Sequence, residues 1–308
     1  MNILVTGGLG HIGSALIRKL PYLFNDLKET VIVDNLLNQR YPSLFNLPQS
    51  NFSFIEGDIR DLDFNSILKD IDYVIHLAAI TDAAGSFGNS DQVELNNFEC
   101  TKKIAEACLL KNIKLITLSS TSVYGTQKEV VTEDCSSEDL NPQSPYALTK
   151  LKEEKLMIKM NKKGLKVVCC RFGTIYGASI GMRFHTAVNK FCWQAAHKLP
   201  ITVWSSAYDQ KRPYLDLNDA INSFQHIIKK DIFDGNIYNV LTENLTVKHV
   251  VDEIQKHVPK LQIEFVDSEI MNQLSYDVSN EKFVKTGFDF KGNISKAIKD
   301  TLELFTYK

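Results

Sequence analysis

A tyrosine and a lysine near the middle of the chain have residue types and a spacing suited to proton transfer. Ser144 is a favourable helix N-cap and Pro145 is a favourable first helical residue, so a helix is predicted to begin there. Tyr146 and Lys150 are then four residues apart and lie one above the other on one helix face. A phenol is a poor base at neutral pH, but a nearby ammonium and a second positive charge in the site would favour tyrosinate. Such a phenolate can accept a hydroxyl proton while a hydride leaves the same carbon.

The pair indicates this chemistry only beside a bound dinucleotide, because Y-x-x-x-K is common on ordinary helix surfaces. The N-terminal segment predicts such a site, with an apolar run over 2–6, a glycine turn, and apolar residues at helical spacing. The glycines permit a tight turn, let a pyrophosphate approach the backbone, and let helix and strand pack closely. Free N–H groups at the helix start hold the phosphates. The residues predicted to form this turn are Gly7, Gly10, His11, Ile12 and Gly13.

The ends of the following strands carry residues suited to the rest of a dinucleotide. Asp34 lies about 20 residues beyond the glycine turn, where a carboxylate binds ribose hydroxyls and repels a 2′-phosphate, which favours NAD over NADP. Asp58 follows the third strand, where an adenine would lie, although it could equally be a turn residue. The fourth strand ends in small residues that would let the cofactor lie against the backbone. His76 within that strand is predicted to be a hydrogen-bonded core residue.

Apolar runs alternate with helical patterns through about the first 175 residues, which predicts a parallel sheet with helices on both faces. Strands are predicted over 2–6, 29–34, 52–56, 73–78, 114–119 and 166–172. Helices are predicted near 11–23, 63–69, 92–111 and 145–162. The helix of Tyr146 therefore follows the fifth strand, whose carboxyl end carries the four hydroxyl residues 119–122.

Composition argues against several classes of function. A net charge of −2 over 308 residues gives no electrostatic case for binding nucleic acid or an anionic membrane. No apolar run reaches about 18 residues, so no membrane span is predicted. The N-terminus begins a strand at once, which leaves no room for a signal peptide and predicts a cytoplasmic location. Six cysteines show no zinc-like spacing, so we expect no metal site and reduced, buried thiols.

Several motifs in order resemble the extended short-chain dehydrogenases, most closely the NAD-dependent nucleotide-sugar epimerase/dehydratase group typified by UDP-galactose 4-epimerase. The motifs are Gly7-x-x-Gly10-x-x-Gly13, Asp34, Ser120-x-x-Val123-Tyr124-Gly125, Tyr146-x-x-x-Lys150 and Arg171-Phe-Gly-Thr-Ile-Tyr-Gly177. The resemblance extends from residue 1 to about residue 240. It implies an α/β fold, a doubly wound parallel Rossmann sheet with a smaller C-terminal α/β substrate domain.

The resemblance also implies a division of the chain and its partners. Residues 1–175 would form the NAD-binding domain, with 213–240 returning to it, while 176–212 and 241–308 would form the substrate-binding domain. The substrate would be a nucleotide-diphosphate sugar. A homodimer would be built on the helices near 95–111 and 145–162.

Residue roles follow from the same resemblance. Tyr146 would be the general base, Lys150 would bind the nicotinamide ribose and lower the pKa of the tyrosine, and Ser120 would bind the reacting sugar hydroxyl. Arg212 would grip the diphosphate through its guanidinium fork. The other residues expected around NAD are Asp34, Asn35, Asp58, Ile59, Leu77, Ala78, Ala79, Asn97, Ser119 and Phe172. Thr121 and Thr174 are expected to contact the substrate.

Departures from the family's pattern refine the predicted reaction. Sugar 4,6-dehydratases carry an Asp–Glu pair where Thr121 and Ser122 stand here, and decarboxylases keep a Glu at the place of Ser122. Neither hydroxyl titrates usefully, which favours redox chemistry at one carbon, namely 4-epimerisation through a transient 4-keto sugar. The alternatives are a nucleotide-sugar 4-dehydrogenase or 4-ketoreductase, a 3- or 5-epimerase, and a non-catalytic NAD(P)-sensing protein.

The substrate half of the chain departs further from the pattern. Thr174 replaces the usual Asn, and a second phosphate-binding arginine, expected about ten residues before Asp277, is missing. The diphosphate grip is therefore predicted to be weaker or differently arranged. The segment 271–279 is predicted to line the substrate cleft. Trp193 and Trp204 could each stack on a nucleobase or pack in the core.

Overall fold

The computed structural model describes residues 1–81, 90–125, 130–136, 138–267 and 275–305. The strands of these residues, in chain order, are β1 (Asn2–Thr6), β2 (Glu29–Asp34), β3 (Phe52–Glu56), β4 (Tyr73–His76), β5 (Lys114–Ser120), β6 (Val130–Val131), β7 (Val167–Phe172), β8 (Thr174–Tyr176), β9 (Ile201–Trp204), β10 (Lys211–Asp216), β11 (Ile237–Val240), β12 (Glu243–Thr246), β13 (Ile263–Val266) and β14 (Asp277–Val278). The helices are α1 (His11–Leu23), α2 (Phe64–Ile67), α3 (Ser90–Lys111), α4 (Pro145–Asn161), α5 (Ala187–Ala196), α6 (Leu217–Lys230), α7 (Val247–His257), α8 (Glu281–Val284) and α9 (Ile294–Glu303).

Seven parallel strands form the main sheet, in the order β11-β7-β5-β4-β1-β2-β3. The chain builds β1, β2 and β3 outward and then crosses to the other side of β1 to make β4. The order therefore reverses between β1 and β4, which is where open α/β sheets bind ligands outside the carboxyl ends of the strands. The predicted parallel α/β sheet is confirmed.

Helices cover both faces of this sheet because successive strand residues point to opposite sides. In β1, Ile3 and Val5 join the apolar cluster that includes residues of α1 and α6. Leu4, between them, joins the cluster that includes residues of α3 and α4. Burial of both faces explains why the strands are continuous apolar runs rather than alternating ones.

The C-terminal part forms smaller sheets, β12-β10-β8, β13-β9 and β14-β6, with α5, α7 and α9 packed around a separate apolar cluster. One late strand, β11, returns to the main sheet and pairs with β7. The division into two domains at residue 175 stays a prediction.

All ten predicted elements are found within two residues of the expected bounds. The largest differences include the strand expected over 73–78, which ends at His76, and the helix expected over 63–69, which spans Phe64–Ile67. None of the six cysteines forms a disulfide and five are buried, but Cys135 is partly exposed, contrary to the prediction for that thiol. Residues 271–274 of the predicted cleft segment lie outside the described residues. No helix in the described ranges is long and apolar enough to cross a membrane.

Candidate active site

A cleft of about 1310 Å³ lies at the carboxyl edge of the main sheet, where the strand order reverses. One wall comes from residues that follow β1, β2, β4 and β5, and the other from α5, β9 and β10. All but one of the predicted site residues line this cleft. They are Gly7, Gly10, His11, Ile12, Gly13, Asp34, Asn35, Asp58, Ile59, Leu77, Ala78, Ala79, Ser119, Ser120, Thr121, Tyr146, Lys150, Phe172, Thr174 and Arg212. The structure brings them together, and their individual roles stay predictions.

The glycine turn at the end of β1 needs glycine for steric reasons. Gly7 has a φ of +65°, and a Cβ built on it would lie 2.6 Å from the backbone nitrogen of Ala78. A Cβ on Gly13 would overlap the carbonyl oxygen of Gly7. Gly10 is the N-cap of α1, and within the described residues no side chain caps this helix. Its first N–H groups therefore suit an anionic pyrophosphate.

The acids at the ends of β2 and β3 already have partners within the protein. Asp34 accepts hydrogen bonds from the backbone N–H groups of Leu9 and Leu36, at 3.1 and 3.0 Å, which ties β2 to the glycine turn. Asp58 forms a two-point ion pair with Arg60, whose hydrogen bonds lower the pKa of Asp58 to about 2. Half-buried Arg40 also lines this end of the cleft, and the sequence analysis missed it.

Tyr146 and Lys150 share the first turns of α4, as predicted. Ser144 caps the helix by accepting the N–H of Ala147 at 3.2 Å. The Lys150 ammonium lies 5.9 Å from the centre of the Tyr146 ring. Burial would lower the pKa of Lys150, but the charges of Glu153 and Tyr146 outweigh it and raise that pKa, so the ammonium stays protonated. The predicted pair therefore lies together in the cleft, and the roles of base and supporting cation stay predictions.

Ser120 and Thr121, at the end of β5, differ in the hydrogen bonds that their hydroxyl groups make. Ser120 Oγ accepts hydrogen bonds from the backbone N–H of Ser122 at 3.1 Å and from Ser122 Oγ at 2.9 Å. With its acceptor positions used, the Ser120 hydroxyl has its own proton left to donate into the cleft. Thr121 lines the cleft, but its hydroxyl donates to the carbonyl oxygen of Phe172 at 3.3 Å.

A buried ion pair behind the site joins α4 to the sheet. Arg171 Nε and Nη2 each donate to a different Glu154 oxygen at 2.7 Å, and Arg171 Nη1 donates to Tyr124 Oη at 2.8 Å. The Tyr124 hydroxyl in turn donates to Asn239 at 2.8 Å. The motif residues Tyr124 and Arg171 thus connect the segment after β5 with α4, β7 and β11 rather than lining the cleft.

His76, which lines the cleft, and Asn97, which does not, are both held by hydrogen bonds to neighbouring segments. His76 Nδ1 is 2.7 Å from Thr6 Oγ1, and Nε2 is 3.1 Å from Thr101 Oγ1, so the predicted hydrogen-bonded core histidine is confirmed. Asn97 is fully buried outside the cleft lining. Its amide donates to the carbonyl of Ile80 at 2.9 Å and accepts from the N–H of Ile80 at 2.8 Å. Asn97 therefore fixes the segment after β4, and its predicted contact with NAD stays a prediction.

The wall contributed by the C-terminal part is cationic. Arg212 lines it as predicted, and so do Arg183 and Lys190, to which the sequence analysis gave no role. Lys190 Nζ donates to Thr202 Oγ1 at 2.9 Å. Trp204 also lines the cleft, whereas Trp193 packs against Phe184 and His197 away from it. A basic side chain on α5 gives no local sequence signal, because its neighbours in the cleft are distant in the chain.

The switch-point cleft, the glycine turn and the parallel sheet define a Rossmann-type α/β protein. Residues 3–240 match the NAD dependent epimerase/dehydratase family. The chain belongs to this family, which confirms the predicted family, and NAD as its cofactor, at the family level.

Similar proteins agree with this assignment. The chain is 29% identical to the trifunctional UDP-glucose 4,6-dehydratase/UDP-4-keto-6-deoxy-D-glucose 3,5-epimerase/UDP-4-keto-L-rhamnose-reductase RHM2 of Arabidopsis thaliana, over 99% of this chain and 47% of that protein. It thus spans about half the length of this relative. It is 32% identical to the uncharacterized UDP-glucose epimerase YtcB of Bacillus subtilis, over 83% of this chain and 81% of that protein. The crystal structure of UDP-glucuronic acid 4-epimerase from Bacillus cereus with UDP-glucuronic acid and NAD has a TM-score of 0.87 and 27% identity, and covers 99% of each chain.

Proposed function

We propose that this chain is an NAD-dependent UDP-sugar 4-epimerase that works through a transient 4-keto sugar. The observation that carries the proposal is the placement of Tyr146, Lys150 and Ser120 together in the switch-point cleft. A protein that only senses NAD would not need this set, since its task ends with binding. The UDP-sugar class comes from the similar proteins, which include epimerases named for UDP-glucose and UDP-glucuronic acid.

The glycine turn fits a dinucleotide. The space that a Cβ at Gly7 or Gly13 would occupy is filled by backbone, so the turn stays close to the start of α1. The N–H groups there would hold the pyrophosphate, and Asp34 and Asn35 lie where the adenosine ribose would bind. When bound, NAD supplies a hydride acceptor and donor.

The chain's own residues manage the proton. Tyr146, as phenolate beside the Lys150 ammonium, takes the proton of the sugar 4-hydroxyl and returns it after the keto sugar has turned over. Ser120 donates a hydrogen bond to the same sugar oxygen. The proton and the hydride both go back to the sugar, so the reaction is balanced without a net oxidant.

The location of the carboxylates in the cleft favours epimerisation over 4,6-dehydration. Among the described lining residues the carboxylates are Asp34 and Asp58, and both lie at the β2 and β3 end. The positions beside Ser120 hold hydroxyls instead, so elimination of water lacks an acid and a base there. Lys190 and Arg212 would hold the diphosphate from the opposite wall.

The test is turnover in heavy water by the NAD-bound protein with UDP-glucose, UDP-galactose, UDP-N-acetylglucosamine and UDP-glucuronic acid. We expect one of them to give its 4-epimer with no deuterium at C4, because the same hydride returns. The control Tyr146→Phe should keep its NAD and lose at least about 100-fold in kcat. Deuterium at C3 or C5 would instead show enolisation. Turnover only with added NADH or a keto acceptor would show a 4-ketoreductase or 4-dehydrogenase.

We also propose a homodimer built on α3 and α4. Leu95 and Leu110 on α3 and Leu148 and Ile158 on α4 are each at least 40% exposed, an apolar content that suits a protein interface. Light scattering should give twice the chain mass, and Leu148→Glu should give the single mass. An unchanged dimer in that variant would place the interface elsewhere.

A further inference from the structure

A buried carboxylate lies directly behind the lysine of the proposed site. Glu153 Oε2 is 2.9 Å from Lys150 Nζ, and the two side chains are only 5% and 6% exposed. Neither the motifs nor the proposed reaction assigns a role to Glu153. Because the ion pair occupies one of the three ammonium donors, the direction in which the other two point is already restricted.

The groups that face this pair come from four elements. They are Tyr146 and Glu154 on α4, Cys100 and Thr101 on α3, His76 on β4 and Cys169 on β7, while Arg171 on β7 pairs with Glu154. Burial raises the pKa of each of the two thiols to about 12, so both are neutral.

The other titratable groups near the pair, Tyr146 apart, contribute no net charge. Burial and the Lys150 charge lower the pKa of His76 to about 3, so it is neutral too. Glu154 and Arg171 neutralise each other. Glu153 is therefore the carboxylate that balances Lys150 in this part of the structure, at 2.9 Å from the ammonium, while the centre of the Tyr146 ring is 5.9 Å from it.

We propose that Glu153 is a positioning residue that sets, through Lys150, how readily Tyr146 ionises. The inference rests on the proposed function, in which Tyr146 is the base. A cation beside a phenol favours the phenolate, and a carboxylate bonded to that cation opposes the effect. Glu153 thus keeps Tyr146 a stronger base than the lone ammonium would allow, while holding the ammonium in place.

This arrangement suits a base that must both take a proton and return it. Tyr146 must take the sugar proton in one half-reaction and return it in the other, so its ionisation has to be nearly even near the working pH. Lys150 without Glu153 would shift the balance toward a phenolate too weak to take the proton.

The experiment titrates Tyr146 in the NAD-bound protein by ultraviolet difference absorbance of tyrosinate, with Tyr146→Phe as the reference. Glu153→Gln should lower the pKa of Tyr146 by about one unit, and the acid limb of the kcat profile should move by the same amount. Glu153→Asp, with its carboxylate drawn back by one methylene, should fall between the two. Glu99→Gln is the matched control, since Glu99 pairs with Lys102 at a side-chain exposure of 42%.

Each outcome decides between the claims. If Glu153→Gln titrates as the unchanged protein does, Glu153 does not act on Tyr146. If Glu153→Gln does not fold, Glu153→Asp decides by the same criterion. If Tyr146→Phe removes no titrating group and keeps full turnover, the proposed function itself fails and this inference with it.

Discussion

Removing the carboxylate of Glu154 tests whether the buried ion pair behind the site holds α4 in place. Arg171 and Glu154 have side-chain exposures of 2% and 1%, and two hydrogen bonds of 2.7 Å join them. Glu154→Gln leaves the Arg171 guanidinium buried without a counter-charge, and a guanidinium cannot lose its proton. The free energy of unfolding should therefore fall by about 3–5 kcal/mol. A loss of that size lowers the thermal midpoint by roughly 10 °C.

The assay is thermal and urea unfolding of the NAD-free protein, with exposed Glu99→Gln as control. The double variant Glu154→Leu/Arg171→Met should recover most of the loss, because an apolar pair of similar volume leaves no buried charge. A Glu154→Gln protein within about 1 kcal/mol of the unchanged one would refute the reasoning, since the pair would then be accessible to water. An equal loss in the double variant would show that packing, and not charge, is responsible.

Three further changes test other parts of the structure. Gly13→Ala puts a methyl against the Gly7 carbonyl, so we expect loss of co-purifying NAD, and full NAD occupancy would contradict the proposed turn. Lys190→Ala should raise KM for the UDP-sugar about 10-fold with kcat little changed, because the variant loses one charged hydrogen bond to the substrate. A change in kcat alone would contradict a role in binding. The pKa of His76 is about 3 in the folded chain and about 6.5 when unfolded, so the unfolded chain binds the extra proton. The contribution of His76 to the free energy of unfolding is therefore fully present above pH 6.5. It falls by about 1.4 kcal/mol per pH unit below that, down to pH 3. His76→Asn should reduce the slope measured by urea unfolding between pH 7 and 5, and an unchanged slope would assign the titration to another group.

Local sequence signals predicted the elements that carry the site. The apolar run of β1, the glycines after it and the Ser144 and Pro145 start of α4 are each set by residues close in sequence. The spacing of Tyr146 and Lys150 on one helix face followed from helix geometry alone. His76 was predicted as a core residue because no partner for chemistry was apparent near it.

Other features had no local signal. Lys190 reaches the cleft because α5 packs beside β9. Arg40 reaches it because its segment contacts the glycine turn, where Ser43 donates a hydrogen bond to the carbonyl of Leu9. Thr121 has the residue type for substrate binding, yet its hydroxyl donates a hydrogen bond to the carbonyl oxygen of Phe172 in β7. Glu153 resembles an ordinary helical acid in sequence, and only the packing of α3 and β7 against α4 makes it buried.

The sequence by itself determined where the backbone turns without room for a Cβ, where α4 begins, and which residues share one face of it. These properties depend on sterics and hydrogen bonds within a few residues, as at Gly7 and Ser144. Tertiary structure alone decided which charges meet. The pairing of Lys150 with a buried Glu153 depends on how strongly water is excluded by elements far away in the chain, and exclusion of water sets the strength of an ion pair.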